Sequence, residues 1–220
     1  MTDLPARIGS YRITRKLGEG GMGVVYAAVD EKLNRPVAVK TIRAAGSDPA
    51  TRERFWREAR AAASVNHPNV CQLYEIAEDA GELFLVMELL DGRPLSEQLQ
   101  AGPLTPHDAL STLLPVLAAL EALHGRGVVH RDLKPSNVFV TGHGIKLLDF
   151  GLARSVADDM AATTADLTVA GQVVGTPAYM APEQLDESRV DARADLFAAG
   201  VLLFEMVAGR SPFAAASMMA

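Results

Sequence analysis

The stretch "LGEGGMGVVYAAV" at 17–29 carries glycine at Gly18, Gly20 and Gly23, and the residues after the glycines decide which fold it opens. Glycines at this spacing let a backbone close over phosphates, and the same pattern opens a dinucleotide-binding domain when it leads into a helix. Here Val24, Val25 and Tyr26 follow, β-branched and aromatic residues that suit a strand. The loop is therefore expected to join two strands. Its surroundings agree: "YRITRKL" (11–17), "VVYAAVD" (24–30) and "VAVKTI" (37–42) read as an antiparallel meander with a turn at "EKLNRP".

Downstream, "DPATRERFWREARAAASVNHP" (48–68) opens with Asp48 as N-cap and Pro49 at the first helical position, and stops before Pro68. Phe55, Ala62 and Val65 recur at helical spacing, and Glu58 falls on the same inward stripe, where an acid needs a partner. The runs "VCQLYEIAE" (70–78) and "ELFLVMELL" (82–90), around a turn at 79–81, complete a small sheet with one helix.

After "DGRPL" helical patterns dominate, at 95–100 and 105–124. Thr105, Pro106 and Asp108 form a capped start, Gly125 and Gly127 a stop, and Pro115 predicts a kink. Short strands are expected at "VVH" (128–130), "NVFV" (137–140) and "IKLL" (145–148), the last two joined through "TGHG" as a hairpin. The polar stretch 155–170 lacks periodicity and reads as a mobile loop, and 195–208 reads as a final apolar helix.

The 220 residues are 49% apolar with a net charge of -6, an ordinary globular composition. The acidic balance and the lack of any Lys/Arg run argue against a nucleic-acid-binding surface. The single cysteine, Cys71, rules out an internal disulfide and reads as a buried thiol in a reducing compartment. The N-terminus lacks the blocks of a signal peptide, and Glu205 interrupts the most apolar run, so no membrane segment is expected.

Five motifs occur in order: "GEGGMGVV" (18–25), "VAVK" (37–40), "HRDLKPSN" (130–137), "DFG" (149–151) and "APE" (181–183). By this ordered set the chain resembles the eukaryotic-like protein kinases, specifically their bacterial Ser/Thr members. The resemblance covers the chain from Tyr11 onward and implies an α+β, bilobal fold. Residues 11–90 would form a small antiparallel-sheet N-lobe with one helix. Residues 91–220 would form a mainly helical partial C-lobe lacking its last helices, and 1–10 an N-terminal extension. The implied activity is that of a non-specific serine/threonine protein kinase in bacterial signalling, transferring the γ-phosphoryl group of ATP to protein hydroxyls with Mg²⁺. The implied location is cytoplasmic, alone or as the cytoplasmic part of a longer membrane-anchored kinase.

Carried over residue by residue, Leu17, Gly18, Glu19, Gly20, Gly21, Met22, Gly23 and Val24 would cover the ATP phosphates. Val25 and Ala38 would line the adenine pocket, Met87 its back, and Glu88 to Leu90 the hinge whose backbone holds adenine. Lys40 would meet the α- and β-phosphates, with Glu58 as its ion-pair partner. Asp132 matches the catalytic base, and Lys134 the lysine that stabilises the transferring phosphoryl group in Ser/Thr kinases. Asn137 and Asp149, at the open ends of the "TGHG" hairpin strands, offer hard oxygens for Mg²⁺.

The resemblance also implies that His130 packs against Phe150 and that Asp195 accepts hydrogen bonds from the backbone near His130 and Arg131. Arg131 beside the base places the chain with kinases controlled by activation-loop phosphorylation. Thr168 is the candidate for self-phosphorylation, with Thr163 and Thr164 as alternates; Ala170 occupies a position where relatives often carry a second threonine, and Thr176 reads as structural. Two departures stand out. Ala62 is small where the family's hydrophobic stack is larger, and the arginine that Glu183 would ordinarily meet belongs to the absent helices. The shortened end keeps a second reading open: a truncated kinase-fold module that binds nucleotide or regulates, with little transfer. A small-molecule kinase is disfavoured by "GTPAYMAPE" (175–183), which resembles the segment that holds a polypeptide substrate.

Overall fold

The computed structural model describes residues 4–20, 23–42, 49–148, 177–184 and 190–213. They fall in two compact units, the first from residues up to 66 and 71–91, the second from 67–70 and 92 onward.

The first unit is built on an antiparallel sheet of β1 (Arg7–Ile8), β2 (Tyr11–Gly20), β3 (Gly23–Asp30), β4 (Arg35–Ile42), β5 (Leu73–Asp79) and β6 (Glu82–Glu88), in the order β1-β2-β3-β4-β6-β5. Gly20 pairs with Gly23, so the glycine stretch is the tip of a strand hairpin, as the residues after it predict. Side chains alternate across a strand, and this separates two faces. Tyr11, Ile13, Ala28, Val37, Val39, Phe84 and Val86 form one buried apolar cluster. Val25, Lys40 and Leu85 stand directly opposite one another on the other face, and Ala27, Ala38 and Met87 form the next row. Helix α1 (Pro49–Ala63) buries Phe55, Ala59 and Ala62.

Strand β5 starts at Leu73, three residues later than the apolar run suggests. At Gln72 the pairing is only half made: its carbonyl accepts from Glu88 N–H at 2.9 Å, but its N–H donates to the side-chain Oε2 of Glu88 at 3.3 Å.

The second unit carries a three-stranded antiparallel sheet of β7 (Gly92–Pro94), β8 (Val138–Thr141) and β9 (Gly144–Leu147), in that order. Helices α2 (Leu95–Leu99), α3 (Pro106–His124) and α4 (Ala192–Ala208) complete it, α3 packing on α4. The expected cap of α3 is present: Thr105 Oγ1 accepts from Asp108 N–H at 3.2 Å and donates to Asp108 Oδ2 at 2.7 Å. The helix runs through Pro115 as one element and buries Leu113, Val116, Leu120 and Leu123. Each buried leucine contributes about 1.5–3 kcal/mol relative to exposure.

Two expectations shift. Val128 to His130 form no strand; the His130 amide is taken by a side chain instead of a ladder. Helix α4 begins at Ala192 rather than Asp195, because Asp191 caps it by accepting from Arg193 N–H at 2.9 Å. Asp195 therefore sits in the first turn, and Gly209, at φ 69°, ends the helix in the left-handed conformation. No helix among the described residues is long and apolar enough to cross a membrane.

Candidate active site

In the first unit the sheet register gathers Val25, Ala38, Lys40 and Met87 on one face. Lys40 is only 7% exposed, and burying a charge is costly unless it interacts; it does take part in such an interaction. Glu58 is half-buried on α1, and among the described residues no ion pair joins it to Lys40. Val24 is pinned to the next strand, its N–H donating to Thr41 Oγ1 at 3.2 Å while that hydroxyl lies 3.3 Å from Val24 O. Glu19 pairs with Lys16 along β2. At the hinge, Glu88 O lies 3.7 Å from Cys71 Sγ, and Leu90 is half-buried.

The glycines are not equivalent. Gly23 has φ 145°, and a Cβ there would meet Thr41 O at 1.8 Å, so the chain itself requires glycine. Gly18 and Gly20 have nothing within 4 Å of a Cβ. Protein packing gives no reason for their missing side chains, whereas close approach of a phosphate does.

In the second unit the loop after α3 carries Asp132, Lys134 and Asn137. Asp132 Oδ2 accepts from Lys134 Nζ at 2.8 Å and from Asn137 Nδ2 at 3.0 Å. Asn137 Nδ2 also donates to Asp132 O at 2.7 Å, which turns the amide oxygen of Asn137 away from Asp132. No hydrogen bond among the described residues occupies Asp132 Oδ1, and the Asp132 side chain retains 16% exposure. One carboxylate oxygen is anchored and the other is available.

The loop is fixed from outside. Asp195, 1% exposed, accepts His130 N–H at Oδ2 and Arg131 N–H at Oδ1, both at 2.8 Å. These are the bonds the resemblance implies. His124 Nε2 lies 2.7 Å from Asp195 Oδ2 and must donate, since a carboxylate only accepts. His130 is fully buried; its Nε2 donates to Leu148 O at 2.7 Å and its Nδ1 accepts Asp132 N–H at 3.3 Å, a pattern that requires the neutral tautomer. Both ring nitrogens are thereby engaged in holding the loop. Arg131 has φ 62°, a left-handed conformation that costs a non-glycine residue roughly 1–2 kcal/mol. Gln184 closes the arrangement by donating from Nε2 to Arg131 O at 2.9 Å.

His124, Gln184 and Thr41 escape a sequence reading, because each acts through a contact remote in the chain and none belongs to a local pattern. Gly21, Met22, Asp149, Phe150, Thr163, Thr164, Thr168, Ala170 and Thr176 lie outside the described residues.

Comparison with known proteins follows the same lines. Residues 11–220 match the family model described as protein kinase domain. The chain is 42% identical over 207 residues to serine/threonine-protein kinase PknL of Mycobacterium tuberculosis, covering 92% of this chain and 50% of that protein. It is 41% identical over 210 residues to serine/threonine-protein kinase pkn2 of Myxococcus xanthus, covering 93% of this chain and 25% of that one. The chain thus spans between a quarter and a half of these relatives' length. Among solved structures, the PknI kinase domain of Mycobacterium tuberculosis superposes with a TM-score of 0.78 at 29% identity, over 98% of this chain and 81% of that one.

Proposed function

The chain belongs to the protein kinase domain family, and from that premise we propose that it is a serine/threonine protein kinase that transfers the γ-phosphoryl group of ATP to protein hydroxyls in bacterial signalling. The observation that carries the reading is the Asp132 carboxylate, with Oδ2 held by Lys134 and Asn137 and Oδ1 left to receive a proton. A general base needs that asymmetry: one oxygen fixes direction while the other meets the attacking hydroxyl.

The residues fit a nucleotide with its metal. Open space at Gly18 and Gly20 gives phosphates access to the backbone, and the amide oxygen of Asn137 is a hard donor suited to Mg²⁺. ATP with Mg²⁺, when bound, supplies the activated phosphoryl group. Gly18 through Gly23 would cover the phosphates, including Gly21 and Met22. Val25, Ala38, Met87 and the backbone at 88–90 would hold adenine. Lys40 would offer its charge to the α- and β-phosphates, with Glu58, which makes no ion pair to it among the described residues, closing on it when nucleotide binds, and Asn137 with Asp149 would hold the metal. Asp132 would orient the serine or threonine hydroxyl and accept its proton, and Lys134 would offset charge developing on the phosphoryl oxygens. With this reading go a kinase domain from 11 to 220, divided near residue 90, self-phosphorylation at Thr168, and a cytoplasmic site of action.

The test is phosphate transfer from ATP to a generic protein substrate by wild type and Asp132→Asn. Loss of the base should lower kcat by about 10²–10⁴. Equal activity in the two proteins would sink the assignment, and phosphosite mapping after ATP incubation tests Thr168.

A further inference from the structure

The peptide linking Arg131 to Asp132 is gripped at both of its polar atoms. Its carbonyl oxygen, Arg131 O, accepts from Gln184 Nε2 at 2.9 Å, and its N–H, on Asp132, donates to His130 Nδ1 at 3.3 Å. Because a peptide unit is planar, fixing both atoms fixes the plane from which the Asp132 Cα departs. His130 is two residues from Asp132 within the same loop. Gln184 is 53 residues from Arg131, in the turn Pro182–Gln184.

The other end of the Gln184 amide is committed as well. Its Oε1 accepts from Ala181 N–H at 3.0 Å. A donor facing a carbonyl and an acceptor facing an N–H leave a single orientation, since flipping the amide would break both bonds. Had the side chain served only its own turn, an acceptor at Oε1 would suffice. The Nε2 donor reaches out of the turn to the one peptide that aims the catalytic carboxylate.

We propose that Gln184 is a positioning residue for phosphoryl transfer: its amide ties the segment at 181–184 to the peptide preceding Asp132 and so sets the direction of the Asp132 carboxylate. This inference rests on the kinase reading above. It also gives that segment a second task, because any shift of the turn at 182–184 is transmitted to the base through one hydrogen bond. The left-handed Arg131 lies between this bond and the Asp195 bond to its own N–H.

Two variants of the full chain separate the possibilities. Gln184→Glu keeps size and the acceptor toward Ala181 but has no N–H, and Gln184→Met keeps length alone. In both, kcat is expected to fall about tenfold while KM for ATP stays within about twofold, the pattern of a residue that aligns the base without binding nucleotide. A protonated carboxyl can again donate to the Arg131 carbonyl, so the Gln184→Glu deficit should narrow between about pH 8 and about pH 6 while the Gln184→Met deficit does not. Hydrogen exchange gives a readout independent of turnover: amides at 130–132 should lose protection in both variants while those of α3 keep theirs. Wild-type kcat in Gln184→Met, a loss confined to KM for ATP, or unchanged protection at 130–132 would each overturn the proposal. A wild-type chain that transfers no phosphate would refute the kinase reading instead, and the exchange measurement would still decide whether Gln184 holds the loop.

Discussion

Lys40 and Asp132 reach their places by different means. Lys40 is one rung of a ladder, with Val25 opposite on one side and Leu85 on the other, and its neighbours repeat the same pairing along β3, β4 and β6. Asp132 lies in a loop without ladder pairing, and the amides of His130, Arg131 and Asp132 each donate to a side chain. A sheet spreads positional information over many equivalent bonds, so no single side chain is indispensable to its geometry. The loop concentrates the same information in a few side-chain bonds, two of them from Asp195, more than sixty residues away.

The largest test of that contrast is Asp195→Ala. It strands the buried His130 amide, the half-buried Arg131 amide and the His124 donor, each orphan costing up to about 1–3 kcal/mol. Thermal unfolding should show a drop of several degrees, and phosphate transfer should vanish. Asp195→Asn keeps one acceptor oxygen and should lose less. Comparable melting of Asp195→Ala and wild type would break the contrast.

Next in size is Gly23→Ala, whose Cβ would collide with Thr41 O at 1.8 Å and must displace the hairpin tip, at a cost of roughly 1–3 kcal/mol. Gly18→Ala meets nothing within 4 Å, so its melting temperature should match wild type and any defect should appear as a raised KM for ATP. This pair sharpens the comparison: of these two glycines, the one against a neighbouring strand is structural.

The smallest effects concern one tyrosine in each unit. Burial first, then a hydrogen bond to Glu75, pushes the Tyr11 hydroxyl well above its ordinary value near 10. Burial and then Glu205 do the same for Tyr179. A raised phenol pKa favours the protonated folded form, so the stabilisation is complete below pH about 10 and fades as pH rises toward the folded values. Tyr11→Phe and Tyr179→Phe should each flatten the alkaline limb of a stability-versus-pH curve, and leave its slope near neutrality unchanged.

The two regions also differ in how far they can be read from sequence. Strands β2, β3, β4 and β6 follow from β-branched alternation and turn residues, because a ladder imposes its period on every residue. The hairpin at 138–147 is legible for the same reason. Residues 128–130 look like a strand by composition, yet the His130 amide goes to a carboxylate 65 residues away. The start of α4 is missed because its cap, Asp191, stands outside the apolar run that marks the helix. Asp132, Lys134, Asn137 and Asp195 were found through family motifs, since no periodicity points to them. His124 and Gln184 belong to no such motif, and their partners lie 71 and 53 residues away.

The span of the Asp195 bonds bears on the order in which the molecule is made. Strands β2, β3 and β4 pair as successive hairpins, whereas the bonds on His130 and Arg131 close loops of 65 and 64 residues. Short loops close early and long ones wait for their far end. A chain leaving the ribosome can complete the paired strands that carry Lys40 while the stretch around Asp132 still lacks its anchor, which arrives only with the translation of α4. Fixing of the loop at 130–132 is in this way deferred until synthesis has passed Asp195, so a prematurely terminated chain lacks the carboxylate that holds the amides of His130 and Arg131.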